Sequence, residues 1–462
     1  MPIYGKLADL YGRKPLFLFG TALFLLGSAA CGAAQSMEQL IVFRAIQGLG
    51  AGAVMPIVLT IIGDIFALEE RARVQGLFSG VWGVSSIIGP AIGGVIVDHF
   101  TWRWVFYINV PFGLLSGLLL IFFFKEQVEH KKRSIDYAGT LLLTGGIVAL
   151  LFALLQGGVS WAWLSLPSIG LFVASIVLIV LFVAQENRTL EPVLPLTLFR
   201  NRIISVSSIG GLVLGVILFG ISSYVPLFVQ GVDGGTATNA GIVLVPFLVA
   251  WPITATLSGK MIIRYGYRIT ALAGAILAVI GTGMVTLFNA GTNLPFIIVS
   301  MLSIGAGLGL MSTAFIISVQ NAVPWNLRGV ATASTQFVRT IGGTLGVALM
   351  GTILNIQMAV NFSPVFTRFS DVVARLPRNI APSNVLLTPS VRQSLAADFL
   401  QQLQAALAHS LLWVYLLIFA IAVAGLAMMF FLPGGKADQY TYKGESETEE
   451  IPANVEEITT FG

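Results

Sequence analysis

The sequence predicts an all-α protein that crosses a membrane many times. Of its 462 residues, 56% are hydrophobic and only 10% are charged, which is more apolar side chain than one soluble core can bury. The mean hydropathy is +0.89, and the apolar residues gather into stretches of about 20, the length that crosses a bilayer as a helix. The 50 glycines lie within these stretches, as in membrane bundles whose helices pack closely.

Twelve stretches have the length and apolarity of a membrane span. They are Leu16–Ala34, Leu40–Gly63, Gln75–Val97, Trp104–Phe124, Ala138–Gln156, Ser165–Ala184, Ile203–Val229, Ala240–Ser258, Thr270–Phe288, Leu294–Ser318, Ala331–Leu354 and Ser410–Leu432.

Lysine and arginine are unevenly distributed between the connections. If the connection Gly5–Lys14 is cytoplasmic, the opposite side holds only Arg103 and the arginines of one long segment, Asn355–His409. Basic residues of short loops stay in the cytoplasm. We therefore expect a multi-pass protein of the cell membrane with both termini cytoplasmic. The net charge of +4 reflects this topology, and we expect no nucleic-acid partner.

An internal repeat relates the two ends of the chain. The stretch Gly5–Lys14 (GKLADLYGRK) recurs as Gly259–Arg268 (GKMIIRYGYR), with five of ten positions matched by identity or a basic exchange. Gly48 aligns with Gly305 at nearly the same offset, and duplicated halves build many transporters. Two spans precede the second copy and none precedes the first. The repeat thus predicts that one helix and most of another are absent upstream, the alternative being a naturally shortened first half.

The repeat divides the chain into four parts. Residues 1–124 are expected to form an incomplete N-terminal helical half, and residues 201–432 a complete six-helix half. Residues 125–200 are expected to link them with two extra transmembrane helices. Residues 433–462 are polar and rich in glutamate, which is typical of a disordered tail.

Three sets of residues along the chain match the motifs of one family. They are Gly5, Asp9, Gly12, Arg13 and Lys14 in the first loop; Arg44, Gln47, Gly48 and Gly50 in the second span; and Gly76, Gly89, Pro90, Gly93 and Gly94 in the third. With these, and with the stretch Trp102–Phe112, the chain resembles the major facilitator superfamily, specifically its fourteen-span drug:proton antiporters. Leu10 departs from the loop motif, where a basic residue is usual, and the family's first-helix aspartate motif is missing.

The resemblance implies a transporter that exports small, mostly apolar or cationic compounds in exchange for protons by alternating access. About 12 of the family's 14 helices would be present, residues 1–124 corresponding to its helices 3–6. Two alternatives stay open: a proton-coupled importer of the same fold, and a transport-inactive fragment from a mis-assigned start.

Opposite charges on adjoining loops predict a cytoplasmic gate formed by Gly5, Asp9, Gly12, Arg13, Lys14 and Asp64. The alternative is a solvated loop, in which each exposed ion pair is worth about 0–1 kcal/mol. The second copy of the loop has Ile263 where the first has Asp9. A loop that served topology alone would not need this carboxylate in one copy only, so the difference favours a switching role.

Two arginines inside spans, Arg44 and Arg339, are candidates for proton coupling. A charge in lipid costs about 2.5 kcal/mol or more unless it is paired or faces water. No span contains a carboxylate near its centre, and the missing first-helix acid would be the natural partner of Arg44. The alternative for Arg44 is that its side chain extends to the nearby membrane surface.

The remaining candidates serve packing or substrate contact. Gly76, Gly89, Pro90, Gly93 and Gly94 give the third span a small surface that suits close helix packing, with Pro90 allowing a bend. A drug cavity is mostly apolar with few polar groups, for which the candidates are Gln47, Trp82, Tyr224, Gln230, Trp251, Gln320, Asn321 and Gln336. Each of these could instead serve helix packing or lie at the membrane interface.

An enzyme is not expected. His99, His130 and His409 are scattered and form no metal or nucleophile constellation, and no cofactor motif is present. The lone Cys31 has no partner for an intrachain disulfide.

Overall fold

The structure is a computed structural model. It describes residues 1–66, 70, 73–74, 76–78, 80–81, 83–85, 88–89, 92, 96, 100–124, 126, 136–157, 161–189, 192, 194–373, 386, 392 and 395–435. Within these ranges the regular elements are helices, and no β-strand is formed.

The α-helices are α1 (Pro2–Tyr11), α2 (Arg13–Ala33), α3 (Met37–Ile65), α4 (Trp104–Tyr107), α5 (Asn109–Phe123), α6 (Tyr137–Gln156), α7 (Leu166–Glu186), α8 (Arg202–Gly231), α9 (Ala237–Val285), α10 (Leu294–Asn321), α11 (Arg328–Arg368), α12 (Ser370–Val373) and α13 (Ala397–Met429). Short 3-10 helices span Leu196–Arg200 and Trp325–Leu327.

Ten helical segments of the described chain are long and apolar enough to cross a membrane, so the predicted all-α membrane fold is confirmed. Every predicted span except Gln75–Val97 coincides with one of them. Two predicted spans fall within α9, whose 49 residues extend about twice the thickness of a bilayer core. Of Gln75–Val97 only some residues are described, and those are helical.

Two glycines turn the chain at equivalent positions of the repeat. Gly12 separates α1 from α2 with φ 96° and ψ 156°, and Gly266 kinks α9 with φ 83° and ψ 174°. Both conformations favour glycine, because a Cβ would clash. Since the two glycines occupy the eighth position of the two matched decapeptides, the sequence repeat is also a repeat of backbone geometry.

The helices pack into two groups and a pair. The first group, α1–α5, has a small core with Ala8, Phe17 and Ile57. The second group, α8–α11 with α13, surrounds a larger core in which Ile217 and Leu308 are fully buried. The pair α6 and α7 meets through small residues, where the hydroxyl of Ser175 donates to the carbonyl of Gly146 at 2.9 Å.

The segment Asn355–His409 is more helical than the sequence predicted. It was expected as a connection, but α11 continues to Arg368 and α13 begins at Ala397. Aromatic side chains explain the extension, because Phe366 and Phe369 of the α11 end lie 6.3 and 5.3 Å from Phe399 of α13. The stretch was assigned to a connection because it carries arginines and lies outside the predicted spans. In the structure its apolar side chains bury one another beyond the ends of those spans.

The topology can be checked by labelling two exposed positions that the structure places at opposite ends of the bundle. Thr367→Cys lies near the end of α11, and Arg264→Cys lies beside the Gly266 turn. In a Cys31→Ala background, we expect an impermeant maleimide to label position 367 from outside intact cells and position 264 only after lysis. Labelling of both positions from outside would contradict the predicted orientation.

Candidate functional site

Asp9 joins the first helix group to the second. Its carboxylate accepts the backbone N–H of Gly329 at 3.0 Å and that of Val330 at 2.7 Å. These N–H groups belong to the first turn of α11, where the helix supplies no carbonyl partner and its dipole favours a negative charge. The side chain of Asp9 is only 5% exposed, so these interactions are shielded from water.

Arg13 holds the carboxylate from the other side. Its guanidinium lies 2.8 Å from Asp9 and 3.0 Å from Asp64 of α3, and it donates to the carbonyl of Ala8 at 2.9 Å. It also stacks 4.3 Å from the ring centre of Trp325, in the loop before α11. The Arg13 side chain is 1% exposed. Removing one partner of a buried pair costs about 3–5 kcal/mol, far more than breaking a surface pair.

A fourth charge completes the cluster. Arg328, the first residue of α11, lies 3.8 Å from the second oxygen of Asp64. We call Asp9, Arg13, Asp64 and Arg328 the latch. Two of its members come from α1 and α2, one from α3 and one from the second group, so separating the groups must separate opposite charges.

Burial raises the pKa of Asp9 to about 7, although Arg13 and the two N–H groups act in the opposite direction. If the groups separated, water would reach the carboxylate and its pKa would return toward 3.8, the ordinary value. The protonation of Asp9 is therefore linked to whether the latch is closed.

Gly5 allows the close approach that the latch requires. A Cβ at this position would lie 2.5 Å from the Cβ of Ala333 and 2.6 Å from the carbonyl oxygen of Gly329. Both distances are shorter than van der Waals contact, so only glycine lets α1 pack against α11 at this depth.

The structure thus brings together most of the residues that the sequence assigned to a gate. Gly5, Asp9, Arg13 and Asp64 meet at the contact, and Gly12 turns the chain beside it. The side chains of Asp9 and Arg13 are almost fully buried, whereas those of a solvated loop would be exposed to water. Lys14 acts elsewhere, because its ammonium donates at 2.8 Å to the carbonyls that end α5, those of Ile121 and Phe124.

Two contributors were missed by sequence reasoning. Trp325 supplies the ring beneath Arg13, and Glu126 accepts the backbone N–H groups of Arg13 and Lys14 at 2.8 and 2.9 Å. The second could have been anticipated, since a helix that begins after Gly12 needs acceptors for its first N–H groups. Nothing in the sequence places Trp325, which is 312 residues from Arg13.

Arg44 lies about two turns into α3, one turn deeper than the sequence suggested, because the helix begins at Met37. The residue is exposed, and its guanidinium donates to the amide oxygen of Gln47 at 2.7 Å. No carboxylate of the described residues pairs with it. Its charge therefore faces the surroundings of α3 while one side is fixed by an amide.

Ser28 fixes that amide. Its hydroxyl donates to the carbonyl of Phe106 at 2.8 Å and accepts from the amides of Gln47 and Asn109 at 3.0 and 3.1 Å. A hydroxyl has one proton to donate, and Ser28 uses it on Phe106, so Gln47 must turn its NH2 group toward Ser28. The amide oxygen of Gln47 then points to Arg44. Ser28 was not recognised from the sequence, where it is one of many small residues in a span.

Arg339 lies about three turns into α11 and stands over the indole ring of Trp251 in α9, 5.6 Å from its centre. Arg339 is partly buried. The structure places it far along α11 from the latch and in a different helix group from Arg44, so the two coupling candidates do not share a site.

The other predicted cavity residues mostly serve packing. Tyr224 donates to the carbonyl of Val347 at 3.1 Å and lines a cavity of about 490 Å³ between α8, α11 and the α6–α7 pair. Gln230 donates to its own helix, and Gln320 donates at 3.0 Å to the carbonyl of Leu59, which links the two groups.

Among the remaining candidates, Asn321 donates to the hydroxyl of Tyr267 and Gln336 is buried on α11. Trp82, Pro90, Gly93 and Gly94 lie outside the described residues. Gly76 packs against Thr256 of α9. A Cβ added at Gly89, in contrast, would have no neighbour within 4 Å.

Comparison with known proteins decides the family. Residues 1–347 match the profile of the Major Facilitator Superfamily. The chain belongs to this superfamily. It is 36% identical over 439 residues to Multidrug resistance protein 3 of Bacillus subtilis (strain 168), covering 95% of this chain and 85% of that protein. It is 36% identical over 355 residues to Multidrug transporter protein MdtP of the same organism, covering 77% of this chain and 66% of that protein.

A solved major facilitator structure shares the fold. The proton:xylose symporter XylE, bound to 6-bromo-6-deoxy-D-glucose, matches with a TM-score of 0.53 at 13% identity, over 94% of this chain and 84% of that chain. Because the chain belongs to the Major Facilitator Superfamily, this protein is a multi-span membrane transporter and not an enzyme. Within the described residues no cluster of histidine, cysteine and acidic side chains could hold a metal ion.

The contact at Gly5 can be tested by adding one methyl group. Gly5→Ala should push α1 away from α11 and lower the population in which the latch is closed. We expect the distance distribution between spin labels at Tyr11→Cys and Arg264→Cys to shift to longer values. Gly48→Ala is the matched control, because a Cβ there has no neighbour within 4 Å. Equal distributions for Gly5→Ala and the parent would contradict the packing.

The linkage at Asp9 predicts a pH dependence. Burial in the closed latch raises the pKa of Asp9 to about 7 from the ordinary 3.8, and access of water on opening would lower it again, so the closed state binds the proton more tightly. Acidification from pH 8 to 5 should therefore increase the closed population in the same spin-label experiment. Asp9→Asn should remove this dependence, and Asp64→Asn should keep it. A dependence that survives in Asp9→Asn would assign the titration to another group.

Proposed function

We propose that this protein exports small, mostly apolar or cationic organic compounds in exchange for protons by alternating access. The latch is the observation that carries the proposal. It closes one end of the path between the two helix groups with buried opposite charges, and such a contact is either made or broken. Similarity to a relative named as a multidrug resistance protein and to one named as a multidrug transporter supports an efflux role.

The free energy of a proton is comparable with that of the hydrogen bonds that cross between the groups at the latch. One positive charge crossing a membrane at about 150 mV gains about 3.5 kcal/mol, and one hydrogen bond to a charged group contributes about 1.5–3 kcal/mol. A single proton per cycle can thus offset the loss of the Asp9 hydrogen bonds to the N–H groups of Gly329 and Val330 when the groups separate. A surface salt bridge of about 0–1 kcal/mol would open without any coupling and would not keep the path closed.

We assign proton coupling to Arg44. An arginine keeps its proton at any physiological pH, so Arg44 acts through its fixed charge, which lowers the proton affinity of an acidic group beside it. The exposed side of the guanidinium is where such a group would approach. Because Ser28 and Gln47 fix the other side, the position of this charge is set by the packing of α2, α3 and α4.

We further propose that the two helix groups are the moving halves, corresponding to residues 1–124 and 201–432, with residues 125–200 as an added helix pair. The glycine-rich third span supports this arrangement, since Gly76 and Gly83 lie directly against α9 of the other group. Small residues at such a contact allow one group to tilt past the other. Both termini would then lie in the cytoplasm.

The coupling role can be tested in inside-out membrane vesicles with an acidic interior. Addition of a transported dye should partly collapse the proton gradient in the parent, and Arg44→Met should abolish this response while the protein stays inserted and folded. Arg264→Met, which removes an exposed arginine beside the Gly266 kink, is the control and should respond like the parent. If Arg44→Met also responds like the parent, coupling through Arg44 is wrong and the side chain only extends to the membrane surface. If the dye collapses the proton gradient only in vesicles with an alkaline interior, the protein is a proton-coupled importer.

A further inference from the structure

A cavity between the α6–α7 pair and the second helix group lies apart from the latch and from Arg44. Its volume is about 490 Å³, which is within the range of cavities that hold small organic ligands. Tyr224 of α8 and Trp163 of the α6–α7 connection line it, and α11 forms most of its wall. That part of α11 begins at Val347, roughly five turns after the latch residue Arg328. The cavity is therefore toward the end of the bundle opposite the latch.

One face of α11 forms the long side of the cavity. Its lining residues include Ala348, Thr352, Asn355 and Ala359, and their spacing of three or four residues places them on one side of the helix. Asn355 and Ala359 are exposed, whereas Tyr224 is buried. The cavity thus runs from the surface of the bundle inward to Tyr224, and a compound can enter it from the surroundings of α11.

The helix pair supplies an aromatic wall. Trp163 lines the cavity and stacks on Phe172 of α7, with 6.5 Å between the ring centres. A Cβ at Gly157 would lie 2.7 Å from the indole ring of Trp163, so this ring position requires a glycine there. The indole is therefore fixed by its protein neighbours. A fixed aromatic wall favours a ligand that contains an aromatic ring, and it gives the α6–α7 pair a role in binding.

The two hydroxyl groups of the cavity are left as hydrogen bond acceptors. Tyr224 donates its proton to the carbonyl of Val347 at 3.1 Å. Thr352 donates its proton to the carbonyl of Ala348 at 3.0 Å. A hydroxyl has one proton to donate, so a ligand must bring its own donor to bond either oxygen. Gly351 leaves the Tyr224 oxygen accessible, because a Cβ there would lie only 3.3 Å from it.

The charge of the ligand follows from the lining. None of the described residues that line the cavity is charged, and a charge taken out of water without a partner is costly. We propose that the cavity lined by Trp163, Tyr224 and Thr352, the side pocket, binds an uncharged aromatic alcohol. Its ring contacts Trp163 and its hydroxyl donates to Tyr224 or Thr352. This proposal rests on the proposed export of organic compounds, and it names the class of one substrate and the place that holds it.

The test uses two photoreactive ligands that differ only in the hydrogen bond donor. 4-(Hydroxymethyl)benzophenone carries a hydroxyl, and 4-(methoxymethyl)benzophenone is its methyl ether. Each is irradiated with the purified full chain in lipid nanodiscs, and the label within residues 347–359 is quantified by mass spectrometry. We expect saturable labelling, with a half-saturating concentration about fivefold lower for the alcohol, the contribution of one neutral hydrogen bond.

Variants of the acceptors test the hydrogen bond. The double variant Tyr224→Phe with Thr352→Val should bring the ratio between ether and alcohol close to one. Thr344→Val is the matched control, because Thr344 makes the same kind of bond within α11 but does not line the cavity. It should keep the fivefold ratio. An unchanged ratio in the double variant would overturn the proposed binding mode.

A pair of neighbouring substitutions tests the location. Ala348→Trp fills the side pocket and should abolish saturable labelling by both ligands. Leu349→Trp, at the next and exposed position, should label like the parent. Saturable labelling that persists in Ala348→Trp would place the ligand elsewhere and overturn the proposal.

The parent protein alone also provides a decisive outcome. Equal half-saturation for alcohol and ether, or labelling that rises without saturation, would mean that only lipid chains occupy the side pocket, and the proposal would be wrong. Labelling is measured without a proton gradient. A fivefold preference together with an absent proton response in vesicles would therefore reject coupled export and support the side pocket as a binding site.

Discussion

The rest of the structure depends on one constraint: a carboxylate taken out of water must be neutralised where it lies. Asp9 meets it with Arg13 on one side and two backbone N–H groups of α11 on the other. Those partners belong to different helix groups, so the electrostatic requirement of one side chain also decides how the groups are held. Gly5 and the turn at Gly12 are needed because the carboxylate reaches α11 only if α1 lies against it.

The same constraint distinguishes the three buried or membrane-embedded arginines. Arg13 has its donors occupied by carboxylates and a carbonyl, which suits its place in the latch. Arg44 has one side satisfied by Gln47 and the other exposed, which suits a charge that acts on a neighbour. Arg339 lies over the face of Trp251, and no carboxylate of the described residues pairs with it. The three arginines therefore differ in how far the described protein groups occupy the donors of their guanidinium groups.

Features that depend on local pattern could be predicted from the sequence. Apolar length gave the spans, and the repeat paired Gly12 with Gly266, which adopt the same backbone conformation. The opposite charges of Asp9, Arg13 and Asp64 on adjoining loops predicted that these residues form one gate. The acceptance of the Gly329 N–H by Asp9 could not be predicted, because nothing in the sequence places α1 against the start of a helix 320 residues away. The hydrogen bonds of Ser28 and the continuation of α11 to Arg368 also depend on tertiary neighbours.

Helix α11 begins at the latch residue Arg328 and continues for 41 residues, a length of about 60 Å. Its first turn is fixed by Asp9, and its far end is packed through Phe366 and Phe369 against Phe399 of α13. A tilt of about 10° around the first turn would displace the far end by about 10 Å over a rod of this length. Such a tilt would carry α13 with it through these aromatic contacts, so a rotation that begins at one carboxylate would open a gap the width of a small molecule at the opposite surface.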